Sequence, residues 1–110
     1  MREIGTGIRI GMQKLPTGDY VLLYADDERG GNGVRISEAE AQQVRAMLAG
    51  ATRTTELSLN NGRAVLRLEK VGSDFDVVWA GNPKYADKKT RVTTETCIAL
   101  ATDIDGARAR

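Results

Sequence analysis

The residues best suited to chemistry lie in Pro83-Lys84-Tyr85-Ala86-Asp87-Lys88-Lys89-Thr90-Arg91, where four of nine residues are basic, one is acidic and one is aromatic. Lysine and arginine neutralise phosphates and a tyrosine ring stacks on a base, the two contacts that hold a nucleic-acid single strand. Arg63 and Arg67 stand opposite Ala64, Leu66 and Leu68 in an alternating run, and Arg9 stands opposite Ile8 and Ile10 in another. Period-2 alternation turns all three arginines toward solvent or ligand, where they suit phosphate contacts and equally guard a sheet against aggregation. Tyr20, Tyr24, Phe75 and Trp79 recur at i and i+4 of two strands. They serve either as stacking platforms or as core, and Leu22 and Val77 on the same face favour core. The candidate nucleic-acid-binding set is therefore Arg9, Tyr24, Arg63, Arg67, Trp79, Lys84, Tyr85, Lys88, Lys89 and Arg91. Its plain alternative is a solvated loop with scattered charge.

Other chemistries find little support. With one cysteine, Cys97, and no histidine, the chain cannot assemble the common structural zinc sites, a Ser–His or Cys–His nucleophile pair, or an internal disulfide. Glu28-Arg29-Gly30-Gly31-Asn32-Gly33 is glycine-rich but lacks the Gly-Lys-Ser/Thr ending of a phosphate loop. Asp26, Asp27 and Glu28 lack calcium-loop spacing. Asp74 and Asp76 share a strand face without any further acid–base partner to specify them. Cys97 falls on the apolar side of a helix, as a structural thiol would. No catalytic residue, metal or cofactor is expected.

The elements that must position these residues show an internal repeat. Gly18-Asp19-Tyr20-Val21-Leu22-Leu23-Tyr24-Ala25 matches Ser73-Asp74-Phe75-Asp76-Val77-Val78-Trp79-Ala80 at a shift of 55 (74 minus 19). Ile8, Ile10, Met12 and Lys14 fall on Ala64, Leu66, Leu68 and Lys70, and Val34-Arg35-Ile36-Ser37 falls on Thr90-Arg91-Val92-Thr93, at a shift of 56 (64 minus 8). The one-residue difference lands in a turn, where length changes are tolerated. In the first half, alternation predicts strands over Arg2–Ile4, Ile8–Lys14 and Asp19–Tyr24, then a glycine-rich loop over Asp26–Gly33 and a short strand over Val34–Ile36. Ser37 with Glu40 forms a capping box for a helix whose stripe is Ala41, Val44, Met47 and Leu48, and Gly50 stops it. In the second half, strands are expected over Thr54–Leu59, Arg63–Val71, Asp74–Ala80 and Thr90–Val92, with Asn60-Asn61-Gly62 as a hairpin turn. Thr93 or Thr94 caps a helix with Cys97, Ile98, Ala101 and Ile104 inward.

Four strands and a helix, twice, imply an α+β chain of antiparallel sheets with two packed helices, its two ββββα units related by a pseudo-two-fold axis. A length of 110 residues suits one domain: a first repeat over 1–53, a second over 54–106 and a frayed tail over 107–110. The net charge of +1 excludes a strongly basic protein that grips duplexes by charge alone. With no long apolar run and a lone cysteine, a cytoplasmic location is expected.

This layout resembles the Whirly, PUR-repeat and transcriptional-coactivator-like single-stranded DNA-binding superfamily, whose members pair two strand-strand-strand-strand-helix units. The resemblance covers nearly the whole chain as topology and implies curved sheets that bind single-stranded DNA or RNA through exposed aromatics and basic residues. The function classes to weigh are thus a single-stranded nucleic-acid binder, a non-catalytic protein-interaction module (a small adaptor or inhibitor) and, with no motif to place its groups, an enzyme working through carboxylates and arginines; a homodimer is also open.

Overall fold

Ile8, Ile10 and Met12 alternate along β2 (Ile8–Lys14) and turn to one side, the two isoleucines buried and Met12 half-buried, while Arg9 and Gly11 turn outward. The same rule builds the other strands in the computed structural model, which describes residues 1–110. In chain order they are β1 (Arg2–Gly5), β2, β3 (Tyr20–Asp26) and β4 (Gly30–Ile36), then α1 (Glu38–Ala49), then β5 (Thr55–Leu59), β6 (Ala64–Val71), β7 (Asp74–Trp79) and β8 (Thr90–Val92), then α2 (Thr94–Arg108). β1-β2-β3-β4 form one antiparallel sheet and β5-β6-β7-β8 a second.

The inner faces of both sheets and both helices share one core. Ile10 and Leu22 from the first sheet, Leu66, Leu68 and Val77 from the second, Val44, Met47 and Leu48 from α1 and Leu100 from α2 meet at its centre. The helices pack on each other, and α2 also packs on β2. The sheets approach closely where β1 meets β8: a Cβ on Gly5 would lie 2.7 Å from Thr90 Cγ2. No helix is long and apolar enough to cross a membrane.

The local signals act as their chemistry dictates. Ser37 Oγ accepts from the Glu40 amide while the Glu40 carboxylate accepts from the Ser37 amide, closing the capping box. Thr93 caps α2 by accepting from the Thr96 amide. Asn60, Asn61 and Gly62 all take positive φ (50°, 55° and 83°) to turn β5 into β6, conformations that asparagine and glycine tolerate best.

Three expectations are corrected. The glycine run Gly30–Gly33 is strand, not loop: it pairs residue by residue with Asp26–Leu23 as the first half of β4. The hairpin partner overrides the low strand preference of glycine. Ile98 is 49% exposed, and Leu100 takes the inward place on α2. The segment 107–110 is not a frayed tail throughout, because α2 runs to Arg108, Ala107 is buried and Arg108 donates to Glu38.

Candidate functional site

The aromatic candidates present no ring to solvent, as the core alternative for Tyr24 and Trp79 has it. Tyr24 and Trp79 are 1% and 0% exposed, and their rings stack at 5.5 Å with an interplanar angle of 18°. They point inward because they share strand parity with Leu22 and Val77. Tyr85 sits on the irregular stretch between β7 and β8 and is also 0% exposed. It packs edge-on against Tyr24 at 5.1 Å and donates its hydroxyl to the Gly30 carbonyl at 2.6 Å. Trp79 Nε1 donates to Asn32 Oδ1 at 3.1 Å. Burial pushes the Tyr24 and Tyr85 phenols up from their ordinary pKa. All three rings are therefore cement between the halves, and the reading of Tyr24, Trp79 and Tyr85 as exposed stacking surfaces is corrected.

The basic candidates are exposed or half-buried, but most are neutralised within the chain. Lys88 reaches the buried Asp26 carboxylate at 2.9 Å, and Lys89 reaches Glu69 at 2.8 Å. Arg91 pairs with Asp76 at 2.7 Å, Arg67 with Glu56 at 3.1 Å and Glu69 at 3.4 Å, and Arg9 with Asp27 at 2.8 Å. Beside its ammonium partner Lys88, and with the amides of Glu28 and Arg29 donating to it, Asp26 is held below the usual carboxylate range. Arg29 ties the same corner down by donating to Asp87 and to the Lys84 carbonyl. Only Arg63 and Lys84 of the candidate set lack an ion-pair partner, Lys84 lying 5.9 Å above the Tyr85 ring. Across the chain, ten of the sixteen basic side chains pair with ten acidic ones. The six left over, Lys14, Arg53, Arg63, Lys70, Lys84 and Arg110, are distributed over separate strands, turns and the C-terminus. Of these, Lys14 reaches the Arg110 carbonyl at 3.0 Å, while Arg63 and Lys84 stand in turns of the second half.

The outer faces of the two sheets differ sharply. The second is laced with charge: Glu56, Arg67 and Glu69 lie across β5 and β6, Asp76 on β7 and Arg91 on β8. The first is apolar at its centre. Val21, Leu23 and Ala25 of β3 point outward and are half-exposed. Leu23 is paired with Gly11 on one side and Gly33 on the other, and Ala25 with Gly31. Gly31 and Gly33 put no side chain of their own beside the strip on the β4 side, and Gly11 puts none there on the β2 side, where Met1 folds over it. A Cβ on Gly33 would lie 3.1 Å from Leu23 Cδ2 and 3.2 Å from Val21 Cγ1, so both side chains already spread over that bare backbone. Met1, 62% exposed, lies over Gly11 and extends the strip. Paired charges bound it, Arg9–Asp27 at one end and Arg35–Asp19 at the other.

Sequence reasoning missed this face, although a signal was present. Tyr20-Val21-Leu22-Leu23-Tyr24-Ala25 is apolar at every position, and strands apolar on both faces are ones covered on both faces. The corresponding outward residue of the second sheet, Val78, is covered within the chain and fully buried. Leu23 has no such cover. An open groove of about 670 Å³ runs between β1–β2 and α2 and shares Met1 and Gly11 with the edge of the strip, and its Arg2 and Asp103 are tied to each other at 2.7 Å.

No group of three or more histidine, cysteine or carboxylate side chains is placed to hold a metal ion. Comparison of the chain with family models, with curated proteins and with solved structures found no match.

Proposed function

We propose that this chain is a protein-interaction module that offers the outer face of its first sheet to another polypeptide. The observation that carries the reading is β3, apolar on both faces but covered on only one. An apolar centre rimmed by satisfied polar groups is the anatomy of a protein interface, and the pairing of Arg9 and Arg35 within the chain suits a partner without strong net charge. We also propose that the halves are diverged copies of one ββββα unit sharing a core about an approximate two-fold axis. Support comes from the matching strand orders, from α1 packing on α2, and from Tyr24 stacking on Trp79, its counterpart in the repeat. Residues near such an axis meet their own equivalents.

The test compares wild type with Leu23→Glu as bait, alongside anisotropy of a labelled oligonucleotide at low salt. The expected outcome is a stoichiometric, nuclease-resistant protein partner held by wild type and lost from Leu23→Glu, with no oligonucleotide binding. Oligonucleotide binding that survives Leu23→Glu and is lost from Lys84→Ala returns the chain to the single-stranded nucleic-acid reading.

A further inference from the structure

We propose that the polypeptide covering this face is a second copy of the same chain, an inference that rests on reading the face as the interaction surface. The register supplies the argument. Three rows cross the patch: Arg9–Ala25–Gly31, Gly11–Leu23–Gly33 and Gln13–Val21–Arg35. The two long basic side chains therefore occupy diagonally opposite corners, and the other two corners carry Gly31 and Gln13.

A half-turn about an axis lying in the face, along β3 and through Leu23, exchanges the β2 side with the β4 side. Each arginine corner then falls over an uncharged one. Arg9 lies over the partner's Gly31, where there is room for it, and Arg35 over the partner's Gln13, whose amide oxygen can accept one of its remaining N–H groups. Leu23 meets the partner's Leu23 on the axis. Arg9 and Arg35 keep Asp27 and Asp19 as partners within their own protomer, so the contact strands no lone charge away from water. A patch complementary to itself closes at two copies, as an isologous dimer. Sheets stacked face to face sit about 10 Å apart and nearly aligned, which preserves this corner-to-corner match.

The test is sedimentation of the full chain over a wide concentration range, with cross-linking of a Leu23→Cys variant by a short bismaleimide. The linker spans the gap between stacked sheets, and the native Cys97 is fully buried and out of its reach. Expected are a species of twice the 11.9 kDa chain mass and a Leu23→Cys dimer on denaturing gels. Leu23→Glu, by placing a carboxylate on the axis, should raise the dimer dissociation constant more than about tenfold. A wild type that stays monomeric throughout, or a dimer indifferent to Leu23→Glu and not cross-linked through Leu23→Cys, overturns the proposal. If the wild type is monomeric but Leu23→Glu still abolishes capture of another protein, the interaction face stands and only the second copy is excluded. Should Leu23→Glu fail to fold, the cross-link decides.

Discussion

Tyr85 holds an irregular segment as firmly as a strand would. Its ring fills the space beside Tyr24 and Trp79, its hydroxyl satisfies Gly30, and on either side of it the Lys84 carbonyl, Asp87 and Lys88 are bonded back to residues 26–29. Cutting this side chain to alanine should cost about 3–5 kcal/mol, as for other buried aromatics. Trp79 is the chain's one tryptophan, so the loss is readable locally. Tyr85→Ala should raise acrylamide quenching of its fluorescence, while Lys84→Ala leaves quenching as in wild type. Unchanged quenching in Tyr85→Ala would show that the segment does not seal the aromatic cluster. The role of Tyr85 was not legible in its sequence neighbourhood. Lys84, Lys88, Lys89 and Arg91 advertise a solvated basic loop, and the carboxylates that neutralise the last three, Asp26, Glu69 and Asp76, come from other strands. Short-range composition does not reveal a counter-charge delivered by tertiary folding.

At the level of elements, the sequence is most legible where one residue type solves one backbone problem. Ser37 and Glu40 begin α1, Thr93 begins α2, and Asn60-Asn61-Gly62 turns β5 into β6, each as its chemistry requires. Ser37→Ala removes the hydroxyl that accepts from the Glu40 amide and should lower stability by about 1 kcal/mol in a denaturant titration. A loss indistinguishable from zero would mean the cap is replaced by water without cost. Legibility fails where pairing decides. Gly30–Gly33 reads as loop by propensity yet is strand because Leu23–Asp26 hydrogen-bonds to it. On α2 the signal was present: Leu100 stands three residues after Cys97 and four before Ile104, on the buried stripe, whereas Ile98 falls off it and is exposed. Two of those glycines matter for the candidate site: side chains at positions 31 and 33 would crowd the strip on which the functional reading depends.

In the molecule as a whole, near-neutral charge is distributed as pairs, and several of them join distant segments. Glu38 is the clearest case. The Tyr20 hydroxyl donates to its carboxylate, and Arg108 from α2 donates as well. Together these hold the Glu38 carboxyl down from an ordinary 4.5 to about 2, the tyrosine contact contributing most. A carboxyl whose folded pKa lies below its unfolded value adds stability that is fully present above about pH 4.5 and is lost as pH falls toward 2. Glu38→Gln should therefore be less stable than wild type at neutral pH, with the gap narrowing below about pH 4.5 and closing near about pH 2, read as melting temperature against pH. Curves that stay parallel across that window would contradict the linkage. The same pairing accounts for the expected lack of grip on a polyanion, since a phosphate backbone would have to displace carboxylates already in place.

Hydroxyl-radical footprinting of the full chain, alone at low concentration and then under conditions where it is bound to its partner or to itself, asks directly which surface becomes covered. Protection is expected at Met1, Val21 and Leu23 on the first sheet, with Lys84 and its neighbours in the 80–89 segment unchanged. Protection confined to that segment, with Leu23 as reactive bound as free, would contradict the account.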